Sequence, residues 1–399
     1  MTYKYRLSPT STQRTSLEKT LELCRLVYND TLAIRKNTYE KTGKSISLYD
    51  TNKLLTEWKA GKPELMNVHS QVLQNVQERV DLAYQAFFRR VKAGALRQAQ
   101  GAAGELVEPG FPRFKGYGNY DSFTFKQKGF KLTGDRLTLS KIGDVAIKLH
   151  RPICATVKTL TIQRDTVGNF YACFSCECDP TPLPEASKVV GIDLGLTTFA
   201  YFSNGGKIKR QRWMKKDAGD IARLQRKKER LAKGTPERKK VIHALDHAHQ
   251  RVTNRRRNFA HQESRKLVNK YQFIAFEDLD IKDMQAAPNG GSPPGADKRY
   301  TRGIADVAWG QFVQFTAYKA ANAGRVVALV NPKHTTQMCS GCHAIVPKGI
   351  EVRVHDCPHC GLKLNRDHNA ALNILARGLA SISTDSSVSV EAPAFRHGE

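Results

Sequence analysis

Two pairs of cysteines, each with two residues between its members, constrain the fold of this chain more than any other feature. Cys339 and Cys342 form the first pair, and Cys357 and Cys360 form the second. About fourteen residues separate the two pairs. Two such pairs, which we call knuckles, are typical at this distance of a structural zinc site with four cysteine ligands in tetrahedral geometry. The alternative is four free thiols. The sequence predicts a zinc ribbon over residues 335–362 that holds one zinc ion. Three nearby histidines are expected to be bystanders: His343, His355 and His359.

The length and the amino terminus restrict the class of protein. The 399 residues suffice for two or three domains with a sizeable core. No apolar run is long enough to cross a membrane, and residues 1–6 lack the apolar core of a signal peptide. Together with an odd number of cysteines, this predicts an intracellular protein without a membrane partner.

The positive charge is concentrated in one segment. The chain has a net charge of +27, and residues 207–270 carry 22 Lys and Arg against six Asp and Glu. Such density favours contact with phosphate groups, and a solvated helical face is the alternative. The candidates for nucleic-acid contact are Lys227, Lys228, Arg255, Arg256 and Arg257, together with Arg113 and Lys115.

The first half of the chain alternates between the periods of strands and helices. Residues 1–10 have the alternation of a strand, and apolar spacings of three and four predict helices over 11–100, within a helical domain of residues 11–115. Residues 116–184 contain short strand-like runs that predict a small β-barrel. The prolines near 180–184 form a stiff linker, so a new domain is expected to begin near residue 187.

The second half is predicted to contain a hairpin, a basic helical hairpin, a strand, a helix, a strand and a final helix. This order is the RNase H-like α/β plan, with residues 187–334 before the zinc ribbon and 363–379 after it. We interpret the loop at 286–303 as a mobile lid and the serine-rich tail at 380–399 as disordered.

Three carboxylates stand where this plan can bring them together. Asp193 lies on the first strand, Glu277 ends a neighbouring strand, and Asp367 lies at the start of the last helix. Hard oxygen ligands suit magnesium, and two ions can activate a water for phosphodiester hydrolysis. Each acid also has a structural alternative: a turn former at 193, an exposed strand end at 277 or 278, and a helix cap at 367.

Aromatic residues alternate with basic ones before the predicted barrel. Phe111, Phe114, Tyr117 and Tyr120 surround the basic pair Arg113 and Lys115. These rings either stack on nucleic-acid bases or pack beneath the barrel.

These motifs together resemble the TnpB family of transposon-encoded RNA-guided nucleases, which is related to the type V CRISPR effectors. The likeness is most specific over residues 187–378. The matching segments are 191–195, 276–279 and 366–373 for the three RuvC motifs, with 110–115, 304–312 and 339–342 elsewhere. Asn365 departs from the family, which often has an acid at that position.

The resemblance implies a wedge β-barrel split by a helical recognition domain, and a RuvC nuclease split by a zinc ribbon. It implies that Asp193, Glu277 and Asp367 bind two magnesium ions. It also implies a guide RNA derived from the transposon end and a double-stranded DNA target beside a short adjacent motif. The location would be the prokaryotic cytoplasm, with nucleoid association when DNA is bound.

Three other functions fit parts of the sequence. A nuclease-inactive, guide-directed repressor would lack one of the acids, whereas all three are present. A transposase that joins DNA fits poorly with the helical front half and the zinc ribbon. A compact type V CRISPR effector would differ from a TnpB protein in its genomic neighbourhood. The sequence does not determine the oligomeric state.

Overall fold

The computed structural model describes residues 1–99, 110–281, 284, 298–349 and 351–384. Within this range the chain forms two compact units, residues 1–178 and 179–399. Most of the predicted lid and the end of the predicted tail, residues 385–399, lie outside the described residues. No helix in the described part of the chain is long and apolar enough to span a membrane.

The first unit is built on an antiparallel sheet that curls into a nearly closed barrel. Its strand order is β2-β6-β7-β1-β5-β4-β3. The strands are β1 Thr2–Ser8, β2 Ser122–Phe125, β3 Phe130–Thr133, β4 Arg136–Leu139, β5 Gly143–Lys148, β6 Thr156–Arg164 and β7 Phe170–Glu177. The rings of Phe125 and Phe130, on the two edge strands, have centroids 6.3 Å apart.

The helices of the first unit follow β1 directly. They are α1 Ser11–Thr42, α2 Leu48–Gly61 and α3 Ser70–Ala99, with a 3₁₀ turn at Pro63–Asn67. Helix α1 begins with a capping box between Thr10 and Gln13, and it ends at Gly43, whose φ is 66°. The apolar face of α1 is buried at Leu17, Leu21, Cys24, Val27 and Leu32. In α3, Leu82 and Phe88 are 54% and 57% exposed and do not belong to the core.

The second unit contains a mixed sheet of five strands in the order β10-β9-β8-β11-β12. The strands are β8 Val189–Leu194, β9 Thr198–Phe202, β10 Lys207–Lys209, β11 Phe273–Glu277 and β12 Val326–Val330. Strand β11 runs parallel to both β8 and β12, and the other pairs are antiparallel. All five side chains of β11 are buried, as expected for a central parallel strand.

The following helices of this unit have described bounds. They are α4 Trp213–Arg230, α5 Pro236–Lys270, α6 Lys298–Val307, α7 Trp309–Asn322 and α8 Arg366–Thr384. Helices α4 and α5 form the predicted basic hairpin and share a small core of Ile221, Leu245, Ala248 and Val252. Two short strands, β13 Val354–Asp356 and β14 Lys363–Asn365, lie beside the cysteine pairs.

Helix α8 packs directly on β8 because Gly191 has no side chain. A Cβ at this position would overlap the backbone of Ala371 and of Leu375. The helix continues to Thr384, so residues 380–384 are helical and the prediction of a disordered tail from residue 380 is wrong for them. The predicted fold class, α/β with a β-barrel and a cysteine ribbon, is confirmed.

Candidate functional site

The register of two parallel strands brings Asp193 and Glu277 side by side. Ile192 of β8 pairs with Phe276 of β11, and the two acids come one residue later on each strand. Residues at the same level of neighbouring parallel strands lie on the same face, about 4.8 Å apart along the hydrogen-bonding direction. Asp193 is 8% exposed and Glu277 is 9% exposed. The next residue, Asp278, is exposed, so the register assigns the shared position to Glu277.

Asp367 lies in the first turn of α8 and is not the cap of that helix. The side-chain oxygen of Asn365 accepts hydrogen bonds from the amides of Asp367, at 2.9 Å, and His368, at 3.3 Å. Asn365 therefore provides the cap, and the structural alternative for Asp367 does not apply. The Asp367 carboxylate lies 3.2 Å from the guanidinium of Arg366.

Asp193 lies near enough to Glu277 and Asp367 for both carboxylates to affect its pKa. Burial raises the pKa of Asp193 well above its usual range, and the neighbouring charges of Glu277 and Asp367 raise it further. Burial also raises the pKa of Glu277, against the opposing effects of the Thr335 hydroxyl and the charge of Arg377. Buried acids that repel one another are stabilised either by protonation or by a bound cation. Their oxygen-only chemistry fits a hard divalent ion such as magnesium.

Thr335 is a site residue that the sequence analysis missed. Its hydroxyl donates a hydrogen bond to Oε1 of Glu277, and the residue is 2% exposed. Nothing in the sequence distinguishes it from Thr336 beside it. The contact joins residues that are 58 positions apart, so only the folded chain identifies it.

The four predicted zinc ligands form one cluster. Their sulfur atoms all lie within 4.8 Å of one another, with the Cys339–Cys360 and Cys342–Cys357 pairs at 3.6 Å. A zinc ion bound at about 2.3 Å from each sulfur requires separations of about 3.8 Å, so the cluster fits a tetrahedral ion. The cluster found among the described residues contains no histidine. His355 is buried and contacts the amine of Lys348 instead.

The predicted nucleic-acid residues divide into two groups. Lys227, Arg257, Arg113 and Lys115 are exposed. Others pair with acids of the chain, namely Arg255 with Asp217, Arg256 with Asp306 at 2.6 Å, and Lys228 with Glu229 at 3.4 Å. Asp217 and Asp306 are both 7% exposed, so Arg255 and Arg256 neutralise buried acids of α4 and α6.

The aromatic residues before the barrel differ in exposure. Tyr120 is 6% exposed and belongs to the core. The ring of Phe111 contacts Tyr84 at 5.4 Å and Phe87 at 5.3 Å. Phe114 and Tyr117 are 54% and 86% exposed. Phe111 is also 43% exposed, so packing accounts fully only for Tyr120, and the rings of Phe111, Phe114 and Tyr117 are open to base stacking.

Three family profiles match parts of the chain. "Helix-turn-helix domain" matches residues 1–44, "Probable transposase" matches 173–287, and "Cas12f1-like, TNB domain" matches 309–374. Over residues 1–44 the structure contains strand β1 and the single helix α1. The third profile spans α7, β12, the cysteine cluster and the start of α8.

Full-length relatives are similar along nearly the whole chain. A protein of Streptomyces pristinaespiralis, provisionally named as an RNA-guided DNA endonuclease, is 30% identical over 99% of this chain and 94% of its own length. The provisionally named RNA-guided DNA endonuclease InsQ of Escherichia coli K12 is 29% identical over 95% and 92% of the two chains. A solved complex of Cas12f1 with sgRNA and target DNA is similar in fold, with a TM-score of 0.51 and 14% identity over 90% of this chain and 81% of that one.

Proposed function

The chain belongs to the TnpB-like family of RNA-guided DNA endonucleases, and we propose that it cuts DNA selected by a bound RNA, at a metal centre formed by Asp193, Glu277 and Asp367. One observation carries the assignment of the centre. Asp193 and Glu277 lie at the same level of neighbouring parallel strands, and burial raises the pKa of Asp193, with a further contribution from the charges of Glu277 and Asp367. Such an arrangement is costly for stability without a cation, and it is frequent at functional sites.

The three carboxylates would hold two magnesium ions. Bound divalent ions would supply polarisation of the scissile phosphate and activation of water. The chain's own residues prepare the site. The β8–β11 register fixes the spacing of two acids, Asn365 caps the helix that presents the third, and the Thr335 hydroxyl donates a hydrogen bond to Glu277. The four-cysteine cluster would bind zinc as a structural ion, since four thiolates leave no open coordination position.

The guide and the target would be held largely by phosphate contacts. Net charge and exposure support Lys227, Arg257, Arg113 and Lys115 as contacts, together with the exposed rings of Phe114 and Tyr117. Base pairing would select the target sequence, and the protein would read a short adjacent DNA motif. We propose a guide transcribed from the transposon end and action in the prokaryotic cytoplasm, at the nucleoid when DNA is bound.

The experiment begins with the RNA that copurifies with the full chain. Its sequence defines a DNA duplex that matches the guide and carries a randomised flank, and this duplex is incubated with the complex and Mg²⁺. We expect cutting of duplexes that share one flanking motif, with loss of cutting in Asp193→Ala and unchanged RNA content. Wild-type cutting by Asp193→Ala would exclude this centre. Bound but uncut DNA with the wild-type chain would favour the guide-directed repressor instead.

A further inference from the structure

Helix α8 carries three polar side chains at intervals of four residues, on the turns that follow Asp367. They are Asn369, Asn373 and Arg377, and the two asparagines are 0% and 1% exposed. Side chains four residues apart lie above one another on a helix face. Fully buried amides require hydrogen-bond partners, and the partners found here all belong to one segment of the chain.

That segment is 331–340, which joins strand β12 to the first cysteine pair. Arg377 donates to the carbonyls of Asn331 at 2.8 Å and Lys333 at 2.7 Å. Asn373 donates to the carbonyls of Thr335 at 2.9 Å and Met338 at 2.7 Å.

Asn369 completes the set at the cysteine end of the segment. It donates to the Met338 carbonyl at 2.8 Å, and its own carbonyl accepts from the Ser340 amide at 2.9 Å. Ser340 lies between the two cysteines of the first knuckle, next to Cys339. The three side chains, which we call the α8 ladder, therefore tie the backbone of the first knuckle to the helix that carries Asp367.

Thr335 lies in the middle of segment 331–340, which the α8 ladder holds by hydrogen bonds. The ladder holds its carbonyl through Asn373, and its hydroxyl donates to Oε1 of Glu277. Its backbone and side chain are thus both engaged, which fixes the direction from which the hydroxyl reaches the carboxylate. A carboxylate ligand keeps a productive orientation only when neighbouring groups restrict its rotation.

We propose that Thr335 is a positioning residue for Glu277, and that the α8 ladder couples the zinc knuckle to the acid centre. This inference rests on the proposed metal centre. Its consequence is that folding of the ribbon and the affinity of the acids for a divalent cation depend on one another. The relay consists of the first knuckle, the segment 331–340, Thr335 and Glu277.

The test measures Mn²⁺ binding to the full-length chain, freed of RNA, by electron paramagnetic resonance, with zinc content determined on the same samples. Thr335→Val removes the hydroxyl and keeps the shape of the side chain. We expect it to weaken Mn²⁺ binding about 10- to 100-fold, the usual effect of losing a partner of a metal ligand. Zinc content should stay at the wild-type value.

Two variants control this result. Thr335→Ser keeps the hydroxyl and should restore most of the affinity. Thr336→Val makes the same chemical change one residue away and should bind Mn²⁺ like the wild type. If Thr335→Val loses zinc or fails to fold, Thr335→Ala removes the hydroxyl without placing a methyl group against the carboxylate, and the same loss is expected from it.

Asp193→Ala separates failure of this inference from failure of the proposed function. Wild-type Mn²⁺ affinity in Asp193→Ala would mean that the acids do not form the metal centre. If Asp193→Ala loses affinity while folded Thr335→Val and Thr335→Ala both keep it, the centre stands and the positioning role of Thr335 is wrong.

Discussion

Asp193 and Glu277 occupy the same level of two neighbouring parallel strands, one residue beyond the pair formed by Ile192 and Phe276. The two residues are 84 positions apart in the chain, yet both are more than nine-tenths buried. Two acids held together in this way repel each other in the absence of a cation. The stability of the protein and its activity therefore place opposite demands on these positions.

Replacing Asp193 tests this opposition. Asp193→Asn removes one of three neighbouring acids, so we expect loss of DNA cleavage by several orders of magnitude. In metal-free buffer we expect a rise of about 1 kcal/mol in the free energy of unfolding, because a buried acid next to like charges is removed. Cleavage assays and denaturant unfolding measure the two effects. Asp278→Asn, at the exposed neighbour of Glu277, should change neither quantity appreciably.

The close packing of α8 on β8 predicts a large cost for a single methyl group. Gly191→Ala would place a Cβ against the backbone of Ala371 and Leu375, neither of which can move aside by rotating a side chain. We expect a loss of about 2–3 kcal/mol in the free energy of unfolding, together with displacement of Asp367. Gly219→Ala is the matched control, because no atom lies within 4 Å of a Cβ there. In helix α4 it should stabilise the chain by about 0.5–1 kcal/mol.

Two adjacent arginines are expected to behave differently. Arg256 pairs with the buried Asp306, so Arg256→Ala should lower the free energy of unfolding by about 1–3 kcal/mol. Arg257 is exposed, and Arg257→Ala should leave stability within about 0.5 kcal/mol of the wild type. If Arg257 contacts a phosphate, its removal should reduce the slope of a plot of log RNA affinity against log salt concentration by about 1. Equal effects of the two variants on stability would contradict this division.

A buried lysine predicts how stability depends on pH. The amine of Lys319 donates to the carbonyl of His261 and the hydroxyl of Ser264, both at 2.7 Å, and burial lowers its pKa from 10.5 to about 8. Between these values the unfolded chain binds the proton more tightly than the folded chain. This residue therefore contributes a free energy of unfolding that rises with pH from about 8 to about 10.5 and is unfavourable below that range.

Lys319→Met isolates this contribution. The variant should be more stable than the wild type at pH 7, and the difference should shrink as the pH approaches 10.5. Urea unfolding of both proteins at several pH values gives the comparison. Lys233→Met replaces an exposed lysine, so its free energy of unfolding should differ from that of the wild type by the same amount at every pH. A difference between Lys319→Met and the wild type that does not change with pH would contradict the assigned pKa.

Loss of zinc should affect the acid centre as well as the ribbon. A chelator, or Cys342→Ser, removes the constraint on the first knuckle, and we expect faster amide hydrogen exchange over residues 335–349 and at the start of α8. Mn²⁺ affinity should fall in parallel, because Ser340 and Met338 no longer anchor the α8 ladder. Cys154→Ser is the control, since Cys154 is an exposed thiol outside the cluster. Unchanged exchange in α8 would break the proposed coupling.

Local spacing in the sequence was enough to predict the cluster of four cysteines and most of the helices and strands. A knuckle involves four consecutive residues, and the period of apolar side chains repeats within a few turns or pleats. The same local signals placed Asp193 on a strand, Glu277 at a strand end and Asp367 at a helix start, and the combination of the three acids in this order of elements made them candidates. They left Glu277 and Asp278 undecided, and they left the role of Asp367 between a ligand and a cap.

Tertiary structure decided what local spacing left open. The β8–β11 register places Glu277, and not Asp278, level with Asp193. The side chain of Asn365 caps α8, so Asp367 does not. Arg256 pairs with Asp306, whereas its neighbour Arg257 is exposed. Thr335 had no sequence signal at all, because its role depends on a carboxylate 58 residues away. Sequence patterns specify which groups lie on a face of a helix or strand. Which groups meet across elements depends on register and packing, and these arise only when the whole unit folds.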